Sequence, residues 1–221
     1  MSTVWAELPA PLSRSEELAN RLTHAVGLAL AIAGTTALVV SMSRYGDALQ
    51  IVSVCVYSAT LVALYAASTL SHSFERPRLR HFFRTVDQVC IFLLIAGTYT
   101  PISLTYLRHG YWWTIFIAIW GAALFGIFFK IFFSQLQNVA LSAYLMLGWM
   151  PAIAMRPIVE FMPAAAVAWV VAGGTCYTLG TLFLMRDERV PYFHAIWHVF
   201  VIAGSACHYW AVMRYMVPWP Q

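Results

Sequence analysis

Charge is what this 221-residue chain has least of. Only 10% of its residues are Asp, Glu, Lys or Arg, against about 25% in ordinary soluble domains. With 61% of the residues hydrophobic, a water-soluble globule could not cover its own surface. A soluble enzyme and a disordered regulator are thereby excluded. The net charge of +4 is not gathered into a basic run with interleaved aromatics, so no nucleic-acid partner is expected. Cysteine is sparse too. Cys55, Cys90, Cys176 and Cys207 form no CxxC pair and lie within apolar stretches, which predicts small buried hydrophobes rather than disulfides or metal ligands. The opening MSTVWAELPAPLSRSEELANR lacks a basic segment followed by an apolar core, so a cleavable signal peptide is not expected. Sustained alternation of polar and apolar residues is also missing, which argues against an outer-membrane barrel.

What the chain does have is long apolar runs. A membrane-crossing helix needs about 20 mostly apolar residues. Seven such stretches are read at 22–43, 48–71, 85–107, 111–133, 138–156, 162–184 and 193–215. Short polar breaks separate them: Arg44–Asp47, Ser73–Arg80, Arg108–Gly110, Ser134–Asn138, Pro157–Pro163 and Arg186–Arg189. The expectation is an all-α polytopic membrane protein: a segment 1–20, then one seven-helix transmembrane bundle over 21–221. Pro101 and Pro151 fall inside the third and fifth stretches, where they are expected to kink a helix.

Basic residues give the orientation. In a seven-span chain, nine of the thirteen share the side of the N-terminus, among them Arg76, Arg78, Arg80, Arg84 and Arg186, and only Arg44, Arg108, Arg156 and Arg214 face the other. The positive-inside rule then predicts a cytoplasmic N-terminus, an outward C-terminus and residence in the cell (inner or plasma) membrane. Trp112, Trp113, Trp210 and Trp219 fall near the expected outer ends, as an aromatic belt would.

Ionisable groups inside such spans are costly and point to function. Glu17, His24, His72, Asp87, His194 and His198 all fall, by this topology, at helix ends on the cytoplasmic side. His194 and His198 are four apart, so they share a helix face with Cβ atoms about 5–6 Å apart. That spacing suits two ligands on one metal, and equally two histidines hydrogen-bonded to neighbouring helices. His72 adds a third imidazole at matching depth, and three ligands with an open position is the catalytic form of a zinc site. Asp87 is a candidate general base, or else a residue favoured by the dipole at the start of its helix. Ser68, one turn before His72, offers a hydroxyl to a water or substrate carbonyl, or bonds the carbonyl four residues back. Glu17, Asn20 and His24 lie on one helical face. A solvated helix start accounts for the first two and less well for His24. His208 lies about 15 Å along the helix from His198 at 1.5 Å per residue. It is read as packed and hydrogen-bonded, outside any shared metal site. His81 and His109 fall in turns.

Taken in order, ExxNxxxH (Glu17, Asn20, His24), SxxxH (Ser68, His72), Asp87, AGTYTP (Ala96–Pro101), HxxxH (His194, His198) and GSACHY (Gly204–Tyr209) resemble the hemolysin III family, bacterial relatives of the progestin and adiponectin Q receptors. The resemblance runs from Glu16 to Tyr215. It implies Zn2+ on His72, His194 and His198, and Asp87 holding the zinc-bound water. Ser68 matches the family's serine. Because the wider superfamily includes alkaline ceramidases, it also implies zinc-dependent hydrolysis of a lipid amide, with membrane lipids as partners and substrate. Three other readings stand beside this one. A receptor-like membrane sensor would use zinc structurally. A pore-forming cytolysin finds no repeated polar stripe to line a pore. A proton-coupled transporter would use the same His/Asp layer as a relay.

Overall fold

The computed structural model describes residues 13–108, 113–132 and 137–220. Helix α1 spans Arg14–Tyr45, α2 Ala48–Ser71, α3 Pro77–Tyr106, α4 Trp113–Phe132 and α5 Gln137–Trp149. A 3-10 turn, Met150–Ala154, leads into α6, Met155–Phe161, followed by α7, Ala164–Leu184, and α8, Phe193–Tyr215. No strand occurs among the described residues. The residues 1–12, His109, Gly110, Trp112 and most of the Ser134–Asn138 break lie outside the described set.

Among the described residues, six helices are long and apolar enough to cross a membrane: α1, α2, α3, α4, α7 and α8. The expected fifth span differs. Thirteen residues of α5 give way at Met150 to the 3-10 turn, and α6 then carries Pro157 inside it. Pro151 therefore ends α5 instead of kinking a continuous helix, because it lacks the N–H that the next α-helical bond needs. Pro101, in contrast, does sit within α3.

Two helices begin earlier than their apolar runs. At the start of α1, the Ser13 side chain accepts from the Glu16 N–H while the Glu16 carboxylate accepts from the Ser13 N–H. This capping box satisfies two otherwise orphaned donors and carries the helix back to Arg14. Glu17 and Asn20 are thereby placed on a formed helix instead of a solvated lead-in. Helix α3 begins at Pro77, whose missing N–H costs nothing at a first position. Asp87 therefore lies ten residues inside α3 and does not open it. A helix dipole acts only within the end turn, so the dipole account of Asp87 fails.

The core is built on α2 and α3, which pack extensively on each other, with α1 against both α2 and α8, and α7 against α8. The buried residues of α1 are Asn20, His24, Gly27, Ala31, Thr35, Leu38 and Met42, steps of three and four that keep to one face. Leu18, Leu22, Val26 and Leu30 are exposed on the other. Helix α4 exposes Ile117, Leu124, Phe125, Phe128, Ile131 and Phe132. Apolar surface on this scale is stable against lipid and not against water. At Gly27 the two helices come together: a Cβ there would stand 2.5 Å from Tyr65 Cε1, so the absence of a side chain sets the α1–α2 approach.

The cysteines are all free, but only Cys90 is buried; Cys55 is exposed and Cys176 and Cys207 are half-buried. The expectation of four buried thiols is corrected accordingly. In a lipid-facing helix an apolar position need not be interior. Trp210 and Trp219 are exposed.

Candidate metal centre

One end of the bundle gathers the starts of α1 and α8, the end of α2 and an early turn of α3. His72 is the residue immediately after α2, and its N–H donates to the Ser68 carbonyl at 3.3 Å. His194 is the second residue of α8, and His198 follows one turn on. Tyr192, just before α8, is in the left-handed region at φ 64°. Its N–H donates to Glu16 Oε1 at 3.3 Å and its hydroxyl to Ser15 at 3.2 Å. These bonds pin the start of α8 to the start of α1 and hold this uncommon conformation.

His72, His194 and His198 come together. One ligand atom from each lies within 4.8 Å of the others, close enough to hold one metal ion. The ring centroids of His72 stand 5.0 Å from those of His194 and 5.3 Å from those of His198, and His194 and His198 are 4.6 Å apart. His72 and His198 are buried, and His194 is half-buried.

The same ring nitrogen is occupied on all three. His72 Nδ1 lies 2.9 Å from Glu17 Oε2, His194 Nδ1 2.7 Å from Asp187 Oδ2, and His198 Nδ1 3.1 Å from the Asn20 carbonyl oxygen. Two carboxylates and a carbonyl can only accept, and the Thr23 hydroxyl, also 3.1 Å from His198 Nδ1, gives its own proton to the Ala19 and Asn20 carbonyls at 2.9 Å, so each Nδ1 carries its proton. In the neutral imidazole, Nε2 is then left with its lone pair free. Metal-bound histidines are oriented this way, through the nitrogen that does not bind the metal. The donor set, three imidazoles with tautomers fixed from behind, fits a divalent transition metal.

Around the three rings the other expected residues take distinct places. Glu17 also reaches Arg80, with Nη1 to Oε1 at 3.2 Å, so it ties α2, α3 and α1 together. His24 stacks on His198, centroids 3.5 Å apart at 20° between planes, and meets Tyr65 edge-on at 5.1 Å. Both His24 nitrogens and both Asn20 side-chain polar atoms are buried with no hydrogen-bond partner among the described residues. Asn20 serves through its backbone carbonyl. His24 stands outside the three-ligand group found among the described residues. The Asp87 carboxyl approaches the Ser68 hydroxyl and lies within the fields of His194 and Arg84. Ser68 Oγ, buried, makes no well-formed hydrogen bond among the described residues, so it does not bond the carbonyl four residues back.

Sequence reasoning missed Asp187. It sits in the turn between α7 and α8, seven residues before the histidine it holds, where it reads as one charge in a polar break. His208 is packed as expected, stacked on Tyr177 with centroids 5.6 Å apart and outside the three-ligand group, but the expected hydrogen bond is missing at its Nδ1, which is buried with no partner among the described residues. His81 is exposed and takes no part.

Beside this layer an apolar cavity of about 100 Å³ opens between α2, α3, α5, α7 and α8. Leu64, Ile91 and Trp197 form the end next to the histidines, one turn from Ser68 and Asp87 and adjacent to His198.

The fold and the site together define an α-helical integral membrane protein with three histidines gathered at one end of its bundle. The chain belongs to the family described as Haemolysin-III related, whose pattern it matches over residues 12–209. It is 38% identical to Hemolysin-3 of Bacillus cereus, over 92% of this chain and 93% of that one. It is 37% identical to the Hemolysin-3 homolog of Bacillus subtilis (strain 168), over 93% and 96%. Similarity extends to the Monocyte to macrophage differentiation factor of Homo sapiens, 31% identical over 91% of this chain and 84% of that one.

Proposed function

We propose that this protein is a zinc-dependent hydrolase of the cell membrane, acting on the amide of a ceramide-like lipid at the cytoplasmic leaflet. The observation that carries the reading is the shared orientation of His72, His194 and His198. Each commits Nδ1 to an acceptor and keeps Nε2 free. A packing role would not need three tautomers fixed alike. Zinc held there supplies Lewis acidity toward a carbonyl oxygen and a nucleophile at neutral pH.

The chain's own groups supply the rest. Asp87, well inside α3 and within the field of His194, takes the proton of the attacking water as general base and returns it to the leaving amine. Ser68 offers its unengaged hydroxyl to the carbonyl oxygen of the substrate. Glu17 and Asp187 hold His72 and His194 in register. The apolar cavity beside Leu64 and Ile91 receives hydrocarbon entering sideways from the bilayer. The nine-to-four division of basic residues supports seven crossings with a cytoplasmic N-terminus. In that arrangement the stretch from α5 through α6 makes the remaining crossing.

The test uses purified protein in lipid nanodiscs, never exposed to chelator. About one zinc per chain is expected, together with release of labelled fatty acid from ceramide-like lipids that His198→Ala abolishes. Absence of zinc, or release unchanged in His198→Ala, overturns the reading. Ion flux without hydrolysis would instead favour a pore or transporter.

A further inference from the structure

The GSACHY segment contributes a residue for which the metal centre has no use. His208 is 4% exposed, yet its ring forms part of the wall of the apolar cavity. Ten residues separate it from His198, which places it about 15 Å along α8 at 1.5 Å per residue. Its position is firmly set. One face stacks on Tyr177, 18° from parallel. The Tyr177 hydroxyl is held 2.9 Å from Ser205 Oγ, which also accepts from Tyr65 at 2.9 Å. At Gly173 there is no side chain, and a Cβ there would stand 2.6 Å from His208 Nε2. The bundle thus makes room for this imidazole and then leaves its Nδ1 buried without a partner among the described residues.

A buried, unpaired polar atom costs on the order of 1–3 kcal/mol, and more favourable choices were open, since Leu or Phe would fill the same space. The other polar side chains of the wall offer less. The Thr98 hydroxyl donates to the Leu94 carbonyl and Thr181 to that of Thr178. The cavity therefore begins at the histidine layer, runs past aliphatic and aromatic walls whose tyrosine hydroxyls are engaged (Tyr99 with the Gly148 carbonyl, Tyr144 with that of Gln88, Tyr177 with Ser205), and presents one imidazole well inside. A neutral imidazole has one N–H and one lone pair. Its natural complement is a hydroxyl, which also gives and accepts one bond.

We infer that the cavity holds a single hydrocarbon chain of a membrane lipid, and that His208 selects chains bearing an in-chain hydroxyl. The inference rests on the proposal that a lipid's polar head lies at the histidine layer, and extends it to the chain. It requires a bound lipid, and no turnover.

Equilibrium competition against radiolabelled octadecanoic acid, on full-length protein in nanodiscs, tests it with octadecanoic acid and 12-hydroxyoctadecanoic acid as competitors. The hydroxy acid is expected to bind about fivefold more tightly, the gain of one net hydrogen bond. In His208→Phe, which keeps a ring for the Tyr177 stack, the preference should vanish while octadecanoic acid binds as before. His208→Gln, which keeps a donor and an acceptor, should retain part of the preference and serves if His208→Phe does not fold. Equal affinities in the unaltered protein, or a preference that survives in His208→Phe, overturns the inference. His198→Ala separates the two proposals. The preference persisting in this variant, or in unaltered protein that shows no hydrolysis, supports the cavity assignment whatever becomes of the enzyme. Loss of the preference in His198→Ala overturns an assignment that rests on the cavity wall alone.

Discussion

Glu17 Oε2 and His72 Nδ1 lie 2.9 Å apart although 55 residues separate them in the chain. The contact joins the first turn of α1 to the end of α2, and the other oxygen of the same carboxylate reaches Arg80 of α3. One side chain thus fixes both the tautomer of a candidate ligand and the mutual placement of three helices.

If Glu17 orients His72, removing its charge should weaken metal binding without removing a ligand. Glu17→Gln is expected to lower zinc affinity by about 10- to 100-fold, the usual cost of losing a carboxylate behind a ligating histidine. Competition with a chromophoric chelator measures this directly. Arg80→Ala should cost less, because Arg80 acts on the ligand only through Glu17. Equal losses for the two substitutions would assign the effect to helix packing instead.

Gly27 makes a different kind of prediction, about the fold. Its missing side chain faces the Tyr65 ring, and that ring cannot easily retreat, being 2% exposed and bonded through its hydroxyl to Ser205. Gly27→Ala should destabilise the protein by about 1–3 kcal/mol, the range for overpacked cores. Gly121, whose Cβ would meet nothing within 4 Å among the described residues, is the control, and its change to Ala should leave the unfolding midpoint in detergent unchanged or raised.

Asp47, in the turn between α1 and α2, caps α2: its side chain accepts from the Gln50 N–H at 2.8 Å, and its other oxygen meets Arg108 at 2.7 Å. The Gln50 N–H first, and then the Arg108 guanidinium, hold its carboxyl below the usual carboxylate range. A carboxyl with a depressed folded-state pKa contributes stability that is complete above its unfolded value, about 3.9, and is lost as pH falls through the folded value. Asp47→Ala should therefore cost about 1 kcal/mol near neutrality, as lost caps do, and the difference from the unaltered protein should close below about pH 4. Thermal unfolding of both proteins across pH 3–7 checks the sign.

The helices and the three histidines were legible in the sequence for separate reasons. Long apolar runs reveal spans because a lipid-facing helix has no polar face to interrupt them, and alternating spans return to the same membrane face, which aligned His72 with His194 and His198. Asp187 was not legible, since a bend between two helices is what brings it to His194. The early start of α3 was hidden because Pro77–Arg84 is polar, and hydropathy reports lipid contact, not helicity. That start decides how Asp87 is read, moving it from a helix end, where the dipole would explain it, to an interior position, where it needs another reason. Asn20 was found for its side chain, whereas its backbone carbonyl makes the bond to His198, and nothing in a side-chain pattern reports that.

Asp87 offers the sharpest separation between chemistry and structure. It makes none of the three bonds that orient the histidines and is absent from the three-ligand group, so replacing it should leave the metal in place. Asp87→Asn keeps the size of the side chain and can still meet the Ser68 hydroxyl. What it loses is the ability to take a proton. If Asp87 is the general base, the variant should retain about one zinc per chain while hydrolysis of a ceramide-like lipid falls by about 10²- to 10⁴-fold, the span expected for general acid–base groups. Ser68→Ala, which removes the hydroxyl proposed to meet the carbonyl oxygen, should reduce the rate less, again with zinc retained. Metal content and turnover must be measured on the same preparation. Parallel loss of both in Asp87→Asn would make Asp87 part of the metal's support, and unchanged turnover would remove it from the mechanism.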